Sequence, residues 1–221
     1  MSNQVDVVFP CLNEALALPP LLRSLPAGFR AIVVDNGSTD GSAAVAREGG
    51  AYVITEARRG YGVAVHAGLA AATSDIVIVS DADGTIDPSQ FEVLVDPIRR
   101  GEADLTIARR IPTTAGAWPV APRFANWVLA GMLRRQTGAE LRDLGPARAS
   151  LREELLALDI TDSRSGYPVE LFLRAVSAGW RVRQVDMDYS PRIGQSKVTG
   201  TVRGFLNAVS DMRRRMKEES R

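Results

Sequence analysis

Four short runs of valine- and isoleucine-rich sequence punctuate the first part of the chain: Val5 to Phe9, Ala31 to Asp35, Ala51 to Thr55 and Asp75 to Asp81. Each is bounded by turn-forming residues, which reads as a strand rather than a stretch of buried helix. Between them, Glu14 to Leu25, Ser42 to Glu48 and Val63 to Ala72 have helical composition. Strands that alternate with helices pair in parallel through right-handed crossovers, and near-continuous apolar strands need cover on both faces. The pattern therefore predicts an α/β layered fold of nucleotide-binding type.

The second half is less regular. Ala103 to Arg110 reads as a strand, Pro122 to Gly138 as a helix opened by proline and closed by glycine, and Gly166 to Trp180 as a further helix. Arg181 to Tyr189 alternates enough to be a strand with one wet face. Val202, Phe205, Leu206, Val209, Met212 and Met216 recur at helical spacing, predicting a C-terminal amphipathic helix over about 200–217. No repeat, low-complexity tract or linker interrupts residues 1–221, so one domain is expected.

Charge and composition narrow the partners. Lys and Arg total 27 against 26 Asp and Glu, a balance that names no nucleic acid as partner. The single cysteine, Cys11, forms no internal disulfide and reads as a small buried filler in a reducing compartment. The N-terminus lacks the basic start and apolar core of a signal peptide, and no run reaches the ~20 apolar residues that span a bilayer. We expect a cytoplasmic protein, with peripheral contact at the inner face of the membrane as the alternative.

In parallel sheets, ligands sit beyond the carboxyl ends of the strands, and polar, glycine-containing segments follow all four early runs. They are Pro10 to Glu14, Asp35 to Ser42, Glu56 to Gly62, and Ser80 to Thr85. Asp35 can accept hydrogen bonds from the N–H edge of a base; the alternative is a simple Asn36-Gly37 turn. Arg58, Arg59, Gly60 and Gly62 read as a close backbone approach to an anion. Asp81 and Asp83, two apart past a strand, can converge on one point, where their repulsion calls for a cation. Few carboxylates completed by phosphate oxygens suit Mg²⁺ or Mn²⁺, and an acidic Asp-Gly turn is the alternative.

These segments, "VVFPCLNEALALPPLL", "IVVDNGSTDGS", "RRGYGVAVHAGLAAATSDIVIVSDADGTIDP" and "RIGQSKVTGT", resemble family 2 glycosyltransferases of the GT-A fold, nearest the dolichyl- or polyprenyl-phosphate mannose synthase branch. The resemblance spans Val5 to Val202. It implies a Rossmann-like three-layer α/β/α domain with a mainly parallel sheet. It also implies metal-dependent, inverting transfer of mannose or another hexose from a GDP- or UDP-sugar. By the same resemblance Pro10, Asn13, Glu14, Asp35, Arg59 and Asp81 contact the nucleotide-sugar, and Asp81 and Asp83 bind the metal. Asn36 stands where many relatives carry a second acid.

Many relatives that glycosylate hydroxyls open a later helix with an acidic pair that supplies the base. Tyr167 and Pro168 stand there in this chain. A phosphate monoester is already anionic and needs no base, so the difference favours a polyprenyl phosphate as acceptor. The branch places arginines and an "R-x-G-x-S-K" segment on phosphates. Arg192, Ser196 and Lys197 match that segment, and Arg110 or Arg109 with Arg123 would meet the acceptor phosphate. The lipid chain would leave toward the segments holding Trp118 and Trp127. Asp143 is expected near the acceptor, or else as a turn former before Gly145-Pro146. Glu170 is expected on the acceptor side, as a substitute base or as an acid that orients an arginine. Asp83, Asp143, Arg192 and Lys197 form the expected catalytic set. A soluble hydroxyl acceptor and a non-catalytic nucleotide-sugar-binding module are the competing readings.

Overall fold

The computed structural model describes residues 4–194. The amphipathic helix expected over about 200–217, together with Ser196 and Lys197, lies outside the described residues.

Seven strands form one sheet: β1 Val5–Cys11, β2 Phe29–Asp35, β3 Tyr52–Thr55, β4 Ile76–Ser80, β5 Leu105–Pro112, β6 Ala147–Leu151 and β7 Val182–Tyr189. Their spatial order is β3-β2-β1-β4-β6-β5-β7. β1 pairs in parallel with β2 and β4, β2 with β3, and β5 with β7, whereas β6 runs antiparallel between β4 and β5. The helices are α1 Leu18–Arg23, α2 Ser42–Glu48, α3 Tyr61–Ala71, α4 Glu92–Arg99, α5 Val120–Thr137, α6 Arg152–Ala157 and α7 Tyr167–Ser177. The expected α/β sandwich is present, and both faces of the sheet are covered. Val8, Ile32, Val77, Val79 and Ile107 face a core shared with α3, α5 and α7. Val7, Phe9, Val33 and Ile78 face a second core shared with α1, α2 and α4.

The sequence reading missed β6, α4 and α6. The run "ARASL" of β6 has no β-branched residue and carries an arginine, so nothing local marks a strand. It is held by pairing on both sides, with Arg148 opposite Val79 and Ile107. Helix α1 starts four residues later than expected from Glu14, because Pro19 and Pro20 lack N–H groups and occupy its first turn.

An ion pair between buried Asp6 and half-exposed Arg30 ties the opening strand to the rest. Asp6, fully buried in β1, accepts from Arg30 Nε at 2.7 Å, Thr73 N at 2.7 Å and Ser74 N at 2.9 Å. Burial alone would raise its carboxyl, but the hydrogen bonds from Arg30, Ser74 and Thr73 outweigh it and hold the group below the usual carboxylate range.

Candidate active site

The loops after β1 and β2 are stitched together by side chains that accept backbone hydrogens. Asn13, at φ 56° in the left-handed region that asparagine tolerates, donates its N–H to Ser38 Oγ at 2.9 Å, and its Oδ1 accepts from Thr39 N at 2.7 Å. Glu14 N donates to Ser42 Oγ at 2.8 Å, and Ala15 N to Asp40 Oδ2 at 3.1 Å. Pro10, half-buried near the end of β1, lies opposite Val34. Asp35, buried at the end of β2, closes the turn by accepting from Ser38 N at 3.0 Å. Arg59 reaches over this turn to Gly37 O at 3.3 Å, so Asp35 and Arg59 lie against one turn.

Asn36 does work that the sequence did not reveal. Its Nδ2 donates to Glu56 O at 3.0 Å and Arg58 O at 2.7 Å, while Oδ1 accepts from Gly60 N at 2.8 Å. An aspartate could not donate to those two carbonyls. Gly60 and Gly62 also need a new explanation. A Cβ on Gly60 would stand 2.1 Å from Ser163 O, and one on Gly62 would stand 1.9 Å from Asp162 O. The close approach read as a response to an anion is made to the chain's own backbone, where α3 seats against residues 162–163.

The acid pair follows β4 as expected. Asp83 Oδ1 accepts from Thr85 N at 3.1 Å and Thr85 Oγ1 at 2.7 Å, while Oδ2 accepts from Arg192 Nη1 at 2.7 Å. Arg192 Nη2 donates to Glu14 Oε1. Arg192 was expected on a phosphate; here its fork bridges the acids of the first and fourth loops. Backbone bonds from Ser190 N to Thr85 O at 2.9 Å and Ile193 N to Asp83 O at 3.1 Å bring it there. Beside this bridge opens a cavity of about 350 Å³, lined by Asn13, Glu14, Leu16, Thr39, Asp40, Ile193 and Gly194.

Asp81 is held differently. Burial first, and then the charge of Asp83, push its carboxyl up to about 6, against the opposing pull of Arg148, Arg110 and Arg192. Two crowded carboxylates, one of them with its carboxyl raised by burial and by the other, suit a hard divalent cation. Among the described residues no group of three or more acidic, histidine or cysteine side chains is arranged around one point. The remaining ligands of such an ion would have to be water and phosphate oxygens, a division usual for Mg²⁺.

Arg110 is held from several directions. Its Nε and Nη2 donate to Asp143 at 2.9 and 2.6 Å, and Nη2 reaches Asn126 Oδ1 at 3.2 Å. Its guanidinium stacks 4.0 Å from the Trp118 ring centroid. Asp143 also accepts from Gly145 N at 2.9 Å, so it forms the turn and clamps Arg110 at once. Arg109 points to the opposite face of β5 and pairs with Asp186, which leaves Arg110 as the arginine of the site. Arg123 is exposed in the first turn of α5.

Glu170 is placed elsewhere. Fully buried, it pairs with Arg174 at 2.9 Å and accepts from Thr161 N at 2.9 Å and Asp162 N at 2.7 Å. These bonds make it the fastener of the 161–162 segment and the partner of Arg174, which matches the expected acid that orients an arginine and not the acceptor contact.

Arg148 was missed altogether. It is buried on β6, donates Nη2 to Leu144 O at 2.6 Å and to Gly145 O, and leaves Nε without a partner among the described residues. Its charge acts on Asp81, and it hydrogen-bonds Tyr61, whose hydroxyl is driven upward by burial and then by Asp81. The Tyr167 hydroxyl, at the start of α7, is buried with no hydrogen-bond partner among the described residues. Burial first raises the Cys11 thiol to about 11, as befits an inert filler.

An uncharacterized glycosyltransferase of Mycobacterium tuberculosis is 49% identical over 210 residues, covering 95% of this chain and 96% of that protein. A dolichyl-phosphate hexose transferase of Haloferax volcanii is 29% identical over 199 residues, covering 89% and 87%. Glucosyl-3-phosphoglycerate synthase from Mycobacterium tuberculosis, crystallised with Mn²⁺, UDP and phosphoglyceric acid, superposes with a TM-score of 0.78. It is 23% identical, with 98% of this chain and 78% of that one covered, and shares the fold. The sequence pattern of glycosyl transferase family 2 matches residues 6–157, and with the GT-A fold beneath it the chain belongs to that family of glycosyltransferases.

Proposed function

We propose that the protein transfers a hexose, with inversion, from a GDP- or UDP-sugar to a polyprenyl phosphate. The observation that carries this reading is the chemistry at the start of α7. Tyr167 and Pro168 stand where a carboxylate base would serve a hydroxyl acceptor, while half-buried Arg110 and buried Arg148 supply positive charge to Asp81. The likeness to the Haloferax dolichyl-phosphate hexose transferase supports the same acceptor class.

In this reading Asp35 and Arg59 hold the nucleoside end of the donor, with Pro10, Asn13 and Glu14 shaping the loop beneath it. Asp81 and Asp83 would hold Mg²⁺ or Mn²⁺, which when bound neutralises charge on the diphosphate leaving group. Arg192 leaves its bridge between Glu14 and Asp83 to meet the donor phosphates, joined by Ser196 and Lys197. Arg110, kept rigid by Asp143 and Trp118, orients the acceptor phosphate together with Arg123. A phosphate oxygen attacks the anomeric carbon, the bond from that carbon to the diphosphate oxygen breaks, and its electron pair leaves with the nucleoside diphosphate. No proton has to be removed from the nucleophile, so no base is required.

The test is transfer from labelled UDP-glucose and GDP-mannose, with Mn²⁺ or with EDTA, to undecaprenyl phosphate or to 3-phosphoglycerate. Label in the lipid fraction only with Mn²⁺ supports the proposal. Label in phosphoglycerate alone assigns a soluble hydroxyl acceptor instead. Nucleotide-sugar binding without transfer to either acceptor would leave a non-catalytic module.

A further inference from the structure

Helix α5 buries one side and leaves another bare. Asn126, Ala130 and Leu133 face inward, Asn126 onto Arg110 and the latter two into the core. At i, i+4 and i+7 on the outer side stand Val120, Phe124 and Trp127, exposed by 83%, 61% and 63%. The Phe124 and Trp127 rings stack on each other with centroids 5.8 Å apart, out in solvent. Arg123, Arg134 and Arg135 flank them, and Val120–Thr137 contains no acidic residue.

Charge decides what this face can meet. The chain beyond Gly194 is itself net basic, with Arg213, Arg214 and Arg215 in succession, so it would bring like charge against α5. A second copy packed face to face would oppose arginines with arginines. An anionic lipid surface complements both features: arginines for headgroups, and aromatic rings for the boundary between headgroup and acyl chain. No described helix is long and apolar enough to cross a membrane, so contact through α5 would be in the interface plane.

We propose that the outer face of α5 docks the protein on an anionic bilayer, with Phe124 and Trp127 inserted and the flanking arginines on the headgroups. The opposite side of the same helix holds Arg110 through Asn126 at 3.2 Å, so docking sets the acceptor side of the site against the lipid surface. This inference rests on the lipid-phosphate reading for its purpose, but the two fail separately.

The test is sedimentation of the full-length protein with vesicles of phosphatidylcholine alone or mixed with phosphatidylglycerol, run beside transfer to undecaprenyl phosphate in detergent. Wild type should bind only the anionic vesicles. Binding should fall by about tenfold in Phe124→Ser/Trp127→Ser, and by roughly fivefold for each of Arg134→Gln and Arg135→Gln. All these side chains are exposed, and unchanged melting will confirm that the variants fold. No vesicle binding by wild type overturns the proposal, as does binding lost only when Arg213 to Arg215 are replaced. A dimer of the wild type that Phe124→Ser/Trp127→Ser dissolves overturns it in favour of a second copy. Vesicle binding without lipid glycosylation in detergent would keep the surface and discard the acceptor reading; the reverse result would do the opposite.

Discussion

The two halves of the site are built by different means. The loops after β1, β2 and β3 are held by short polar side chains that accept backbone hydrogens from neighbouring loops: Asn13, Ser38, Asp40, Ser42 and Asn36. The other half, by contrast, is built from long cations brought in from distant segments. Arg110 is clamped by Asp143, Arg148 by the carbonyls of Leu144 and Gly145, and Arg192 by Asp83 and Glu14. A mesh of many modest hydrogen bonds tolerates single losses, whereas a buried charge depends on one or two partners. The hydrogen-bonded half should therefore be robust and the charged half brittle.

The most severe test is Asp81→Asn. Removing the carboxylate should lower turnover by about a thousandfold, as loss of a group that stabilises leaving-group charge does. Stability should move the other way. The Asp81 carboxyl is pushed up to about 6, so its ionisation above that pH costs folding energy that is absent at low pH. In EDTA at neutral pH the variant should be more stable by on the order of 1–2 kcal/mol. An inactive variant that is also less stable would break the assignment of strain to the acid pair.

Next in size is Asp6→Ala, which strips a buried carboxylate from Arg30, Thr73 and Ser74 and should cost about 3 kcal/mol in urea unfolding at neutral pH. Because Asp6 is held below its usual range, its contribution is present above the unfolded value and is lost as pH falls through the folded one. The wild type should lose stability on acidification over that window more steeply than the variant. Parallel curves would show that Asp6 is not the acid-sensitive pair.

Asn36→Asp sharpens the contrast on the other side. Loss of two donated hydrogen bonds should cost about 1–2 kcal/mol and raise the donor KM severalfold, with kcat nearly unchanged. A collapse in kcat would mean that the mesh is as brittle as the cations. The smallest expected effect is at Cys11: its thiol, raised to about 11, should alkylate far more slowly at pH 8 than free cysteine does. Rapid labelling of the native protein would show that the first loop opens readily.

Much of this was legible in the chain. The Val/Ile runs, their spacing, and the polar segments after them determined the parallel strands, the strand-end site and the Asp81–Asp83 pair, because period and turn chemistry are local properties. The sequence also proposed Asp35, Arg59 and Arg110 for that site; the structure sets the first two against one turn and pairs the third with Asp143. Only tertiary structure decided the rest. β6 exists through pairing on both edges rather than through propensity, and it is β6 that places Arg148 behind Asp81. Gly60 and Gly62 answer to a backbone a hundred residues away, not to a ligand. Glu170 became a fastener for residues 161–162, and Arg192 crossed 178 positions to reach Glu14. Such outcomes depend on which partner lies nearest in space, and a spacing pattern along one chain carries no record of that.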